Sequence, residues 1–290
     1  MFFHFLIYYK KYINIRGKTN TWDKILMLGA IIGDIVGSPY EFDEFNIKTT
    51  SFPLFSEISG ITDDTIMTLA VAQGLLNGKK DPEKTYEEII KSMQKLGRKY
   101  PYMSYGYKFN GWIHSENPKP YNSYGNGSAM RVSSVAWFFD NLGDVEKFAE
   151  ISALPTHNHP EGIRGAKATA VAIFLARNGK SKMEIREYIE KNYGYDLSRT
   201  CDEIRPTYHH VESCQETVPQ AITAFLEGGS FEEVIRLAVS LGGDSDTLTA
   251  IAGSIAEAYF EIPIEIKKTA LSHLDKDLLK IYQEFQESML

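Results

Sequence analysis

The stretch GITDDTIMTLAVAQGLLNGKKDP, residues 60–82, reads as one complete helix and the start of another. Thr62 can cap an N-terminus, and Asp63 and Asp64 then fall in a first turn, where acids favour the positive end of the helix. Ile66, Met67, Leu69, Ala70, Val71 and Leu75 recur with helical spacing until Asn77-Gly78 supplies a stop. Asp81-Pro82 opens the next helix, whose EEIIKSMQKLGRKY pattern is amphipathic. Similar signals continue down the chain. Pro160 precedes EGIRGAKATAVAIFLAR, which ends at Asn178-Gly179, while Ser181 with Glu184 and Ser230 with Glu233 have capping-box spacing. No strand alternation is found. The segments AVAIFLA and TAIAGSIAEAYF carry small residues nearly all round, as central, closely packed helices do. The expected fold is all-α and compact, a single domain over residues 27–290. Two segments, 100–127 and 192–219, lack this periodicity and are expected to be irregular and functional.

The 290 residues carry a net charge of −7, with no Lys/Arg cluster to follow a phosphate backbone, which argues against nucleic-acid binding. Two cysteines make no disulfide framework, so a reducing cytoplasm is expected, and a monomer is the default. The N-terminal MFFHFLIYYKKYINIRGKTN has its apolar residues ahead of its lysines, the reverse of a secretory signal, and is too broken to span a bilayer. Residues 1–26 carry +4, leaving −11 on the remainder, and read as an extension or a misassigned start ahead of Met27.

A second acidic helix start, SLGGDSDTLTAIAGSIAEAY at 240–259, repeats the chemistry of the first. Capping explains either stretch alone, but less easily both. If Asp63, Asp64, Asp244 and Asp246 face one another, four carboxylates repel unless cations neutralise them. With Thr62 and Thr247 the candidate ligands are all hard oxygens, which selects Mg²⁺, Mn²⁺ or Ca²⁺ and suits two divalent ions. DSDT also invites comparison with the DxDx[TV] loop of haloacid-dehalogenase-type phosphatases. That loop follows an apolar strand, whereas EEVIRLAVS is helical and Leu248 stands where Thr or Val is required. His157 and His159, in THNHPEG, lack acidic or cysteine partners at zinc spacing. In SYGNGSAMR, 123–131, Gly125, Asn126 and Gly127 stand just before a helix, where free N–H groups could cradle a pyrophosphate; a plain turn capped by Ser128 is the alternative.

With GAIIGDIVGSPYEF, TDDT, SYGNGSAMR, TH and GGDSDT in that order, the chain resembles the ADP-ribosylglycohydrolases from Met27 to the last helices. The resemblance implies an all-α fold with two Mg²⁺ ions, Mn²⁺ being a possible substitute, on Thr62, Asp63, Asp64, Asp244, Asp246 and Thr247. It implies that Ser123, Tyr124, Gly125, Asn126 and Gly127 contact ADP-ribose and that His157 lies near the nucleotide. Glu41 matches a family glutamate with an acid-base or gating role, and Asp64 is the alternative proton acceptor. The activity implied is hydrolysis of the bond between the ribose anomeric carbon and an acceptor, on an ADP-ribosylated protein or an ADP-ribosyl small molecule such as O-acetyl-ADP-ribose. Such a reaction passes through an oxocarbenium-like state and needs a placed water. A catalytically silent ADP-ribose binder is the non-enzymatic alternative.

Overall fold

In the computed structural model, which describes residues 26–289, every regular element is a helix. The first half contains α1 (Leu28–Gly37), a 3₁₀ turn (Ser38–Tyr40), α2 (Asp63–Gly78), α3 (Pro82–Lys99), α4 (Tyr107–His114), α5 (Gly127–Met130), α6 (Ser133–Phe138) and α7 (Leu142–Ala153). The second contains α8 (Pro160–Arg177), α9 (Lys182–Tyr193), α10 (Cys201–Ile204), α11 (Cys214–Glu227), α12 (Phe231–Leu241), α13 (Ser245–Tyr259), α14 (Ile264–Ser272) and α15 (Lys276–Ser288). The sole β feature among the described residues is one isolated bridge, Gly125 with Ser213.

The centre of the molecule is the antiparallel pair α1 and α13. Gly29, Gly33 and Gly37 form one stripe on α1, and α13 lies directly against it. A Cβ on Gly29 would sit 2.2 Å from the Gly253 carbonyl oxygen, one on Gly33 2.2 Å from that of Thr249, and one on Gly37 2.4 Å from that of Ser245. Such backbone contact fixes register as well as distance. It also sets the C-terminal end of α1, and with it Glu41, beside the N-terminal end of α13, where Asp244, Asp246 and Thr247 lie. Glu257, one turn from the far end of α13, closes the other end of the pair. Its two carboxylate oxygens accept from the amides of Leu28 and Gly29 at 3.0 and 2.9 Å, in place of a side-chain cap at Met27.

Most helix limits fall where the residues call for them. Thr62 caps α2, Asp81 caps α3 with Pro82 in its first turn, and Ser181 with Glu184 makes a reciprocal capping box on α9. Three expectations need correction. Ser230 accepts from the Glu233 amide, but the Glu233 carboxylate reaches Gly229 instead, so no reciprocal box closes on α12. Segment 100–127 contains α4, whose Phe109, Trp112 and Ile113 are buried. Segment 192–219 contains α10 and the first half of α11, with Pro219 inside the helix. Pro219 has no N–H to give to the preceding turn, yet it is buried with the inner face of α11, and that packing outweighs the local break. Residues 1–25 of the N-terminal extension lie outside the described residues; Leu26 is bonded through its amide to the Gln286 side chain at 3.0 Å. No helix among the described residues is long and apolar enough to cross a membrane.

Candidate active site

Asp34 of α1 holds the first turn of α2, and α1 packs directly on α13, so the two acidic helix starts come together. The Thr62 hydroxyl lies 2.8 Å from Asp34 Oδ1 and 3.2 Å from Asp246 Oδ2, and the Thr247 hydroxyl donates to Asp64 Oδ2 at 3.0 Å. Each threonine thus reaches across from one motif to a carboxylate of the other. Asp63 is partly buried, its amide donating to the Met103 carbonyl, while Asp64, Asp244 and Asp246 are buried. Asp244 Oδ2 accepts from the Asn126 side chain, through Nδ2, at 2.6 Å. Glu41 is half-buried at the rim.

These neighbours make ionisation costly. Burial, followed by the charge of Asp246, pushes Asp63, Asp64 and Asp244 well above the usual carboxylate range. The same two causes raise Glu41 to about 8 and Asp34 to about 7. Asp64 Oδ1 is enclosed with no hydrogen-bond partner. A buried acceptor left unpaired in a cluster of like charges is costly. Among the described residues, no group of three or more His, Cys, Asp or Glu side chains is already arranged to hold a metal ion. The donors instead face one another through Thr–carboxylate bonds. Their chemistry, carboxylate and hydroxyl oxygen throughout, nonetheless fits a hard divalent cation.

Asp34 is the site residue that sequence reasoning did not single out. It lies in GAIIGDIVG, fully buried in an otherwise apolar helix. Besides the Thr62 hydroxyl it accepts from the amides of Thr62, at 3.0 Å, and Thr65, at 3.0 Å, so it anchors the first turn of α2. A lone acid on a helix with apolar residues all round was the available signal. Asn46 is a second such residue. Its side chain accepts from the Gly243 amide at 2.6 Å and donates to the carbonyls of Tyr40 and Phe42 at 2.7 and 3.0 Å. It thereby ties the Glu41 loop to the Gly242–Gly243 turn, where both glycines have φ of +74°.

The 123–127 turn borders the acidic cluster but differs from a free anion cradle. The Gly125 amide donates to Ser123 Oγ at 3.2 Å and the Asn126 amide to the Glu212 carbonyl at 2.7 Å. Both N–H groups are therefore engaged, and the helix that Gly127 begins, α5, is a single turn. Asn126 directs its side chain into the cluster, to Asp244 and Thr217. Ser128 donates to the Gly162 carbonyl and makes no cap. Tyr124 is 53 % exposed and meets the ring of His159 edge-on at 5.4 Å. His159 caps α8 by accepting from the Glu161 amide, whereas His157 is buried beneath the turn.

The ADP-ribosylglycohydrolase family model matches residues 22–288. Among curated proteins, the chain is 27% identical to "ADP-ribosylhydrolase ARH3" of Mus musculus, across 90% of this chain and 91% of that one. It is 26% identical to "ADP-ribosylarginine hydrolase Tri1" of Pseudomonas putida, across 86% and 75%. A solved "ADP-ribosylglycohydrolase-related protein complex" has a TM-score of 0.67 at 23% identity, covering 91% of this chain and 96% of that one, which bears on the fold alone. With the family's motifs in order along the sequence and both acidic helix starts meeting at one site, the chain belongs to the ADP-ribosylglycohydrolase family.

Proposed function

We propose that this chain is a Mg²⁺-dependent hydrolase that cleaves the glycosidic bond between ADP-ribose and an acceptor, in first place a modified protein side chain. The supporting observation is the pairing of Thr62 with Asp246 and of Thr247 with Asp64, which joins two motifs some 180 residues apart in sequence. Thr62, Asp63, Asp64, Asp244, Asp246 and Thr247 would hold the cations, with Mn²⁺ an acceptable substitute. Bound Mg²⁺ would offset the cluster's negative charge and fix the ribose hydroxyls. The chain's own residues do the rest. Glu41, raised to about 8 and half-buried at the rim, is poised to hold or take a proton near neutrality, as a general acid-base does. Asp64, whose Oδ1 is unpaired, is the alternative acceptor for the proton of the attacking water. Tyr124 would offer a face to adenine, and Ser123, Gly125, Asn126, Gly127 and His157 would contact the rest of ADP-ribose.

The test is release of free ADP-ribose from arginine-, serine- and cysteine-linked ADP-ribosylated peptides and from O-acetyl-ADP-ribose, with Mg²⁺ and with EDTA. The arginine linkage heads the panel because one relative is named for it. Magnesium-dependent release that Asp246→Ala abolishes supports the proposal. Full turnover by Asp63→Ala or Asp246→Ala, or in EDTA, sinks it, and ADP-ribose binding without release from any substrate favours a silent binder.

A further inference from the structure

Behind the 123–127 turn, His157 is joined to a buried polar chain whose other members, Arg131 and Thr156, have no part in the reaction outlined above. Arg131 is 1 % exposed, Thr156 0 % and His157 5 %. The Arg131 guanidinium donates through Nη2 to the Thr156 hydroxyl at 2.9 Å and to the Ser152 carbonyl at 3.1 Å, at the C-terminal end of α7. The Thr156 hydroxyl lies 2.7 Å from His157 Nδ1. The other ring nitrogen, Nε2, has no partner among the described residues and faces the turn, 3.5 Å from where a Cβ on Gly125 or Gly127 would stand.

The donor inventory decides how the protons are arranged. Arginine donates only, so Thr156 Oγ1 must accept from it. The hydroxyl has one proton of its own, and its recorded neighbours are Arg131 and His157 Nδ1. If Nδ1 also carried a proton, both neighbours would donate and the buried hydroxyl proton would have no acceptor, a costly arrangement. The Thr156 hydroxyl proton and Nδ1 both find a partner only when Thr156 donates to a bare Nδ1. The imidazole proton then sits on Nε2. Burial, and then the Arg131 charge, hold the His157 pKa well below the usual histidine value, which keeps the ring neutral.

We propose that Arg131 and Thr156 are positioning residues that lock His157 as the neutral Nε2–H tautomer and offer that N–H to an acceptor oxygen of a ligand lying over the 125–127 turn. The ligand half rests on the proposed ADP-ribose site, whose pyrophosphate and ribose supply such oxygens; the tautomer half does not. A neutral donor suits this place. An imidazolium would add charge beside a buried guanidinium, and the opposite tautomer would turn a lone pair toward oxygen.

The test is long-range ¹H–¹⁵N correlation of the imidazoles in ¹⁵N-labelled full-length protein from pH 6 to 8, with His157 assigned by its loss in His157→Gln. ADP-ribose affinity is measured in parallel by calorimetry. The wild type is expected to show protonated Nε2 and bare Nδ1 throughout. Thr156→Ser keeps the hydroxyl and should preserve that pattern. Thr156→Val should admit the Nδ1–H tautomer and weaken ADP-ribose binding roughly tenfold, about one hydrogen bond. An Nδ1–H or imidazolium pattern in the wild type overturns the proposal even if Thr156→Val does not fold, and so does a Thr156→Val spectrum unchanged from wild type. The expected tautomer in a protein that binds no ADP-ribose would uphold the relay and overturn the reading of the site.

Discussion

Replacing Gly33 by alanine tests the link between the helix crossing and the site. The new Cβ would lie 2.2 Å from the Thr249 carbonyl oxygen, 2.4 Å from the Thr249 carbonyl carbon and 2.6 Å from the Ala250 Cα. These are backbone atoms of a central helix, so no side chain can swing away. Ordinary contact would require α1 and α13 to separate locally by roughly 1 Å. Overpacking of this kind costs about 1–3 kcal/mol, and the upper end applies where backbone must move. For a domain of this size the upper end lowers Tm by roughly 5 °C. The same displacement shifts Glu41 relative to Asp244 and Asp246, and a misplacement of about 1 Å can cost roughly 100-fold in rate. The assay is thermal unfolding together with Mg²⁺-dependent ADP-ribose release well below the variant's Tm. Gly60→Ala is the control, since nothing lies within 4 Å of the added carbon. A Gly33→Ala protein that melts with the wild type and turns over normally would refute both the contact and its role in aligning the site.

Three further outcomes follow from the cluster. Asp34 and Glu41 are raised from 3.8 and 4.5 to about 7 and about 8, so between these limits the folded state keeps protons that the unfolded chain has lost. In EDTA, Tm should therefore fall as pH rises from 5 to 8, and Mg²⁺ should raise Tm more at pH 8 than at pH 5; a flat EDTA profile contradicts the cluster's charge. Glu41→Gln should lower kcat by roughly 10²- to 10⁴-fold while ADP-ribose affinity persists, measured by turnover and calorimetry. If its rate is unchanged, the same comparison on Asp64→Asn identifies the proton acceptor.

The helical class and most helix limits were legible because capping residues, prolines and glycine stops act within one turn. Thr62, Asp81 and Ser181 satisfy amides two or three residues away, so the outcome is written locally. Segment 192–219 was expected to be irregular yet contains the start of α11 for the complementary reason: the local effect of Pro219 is to break a helix, and burial of the surrounding face of α11 prevails. The reciprocal box expected at Ser230 and Glu233 failed because Gly229 offered the carboxylate a competing amide.

The two acidic pairs could be recognised from residue types alone, since adjacent aspartates ahead of a small-residue helix are unusual as caps. Their meeting could not, because it depends on α1 and α13 touching along Gly29, Gly33 and Gly37, a long-range contact with no local signature. Asp34 shows the same limit. In sequence it is one acid among apolar neighbours; in space its carboxylate accepts from Thr62 and Thr65 and stands beside Asp246. The 123–127 turn shows it from the other side, since GNG suggests free amides and only the packed chain reveals that Ser123 and Glu212 already hold two of them. Residue chemistry and short-range geometry are properties of the sequence itself. Which donors are spent, which carboxylates share a site and which proton His157 carries are decided by contacts between distant segments, and those exist only once the tertiary structure has closed.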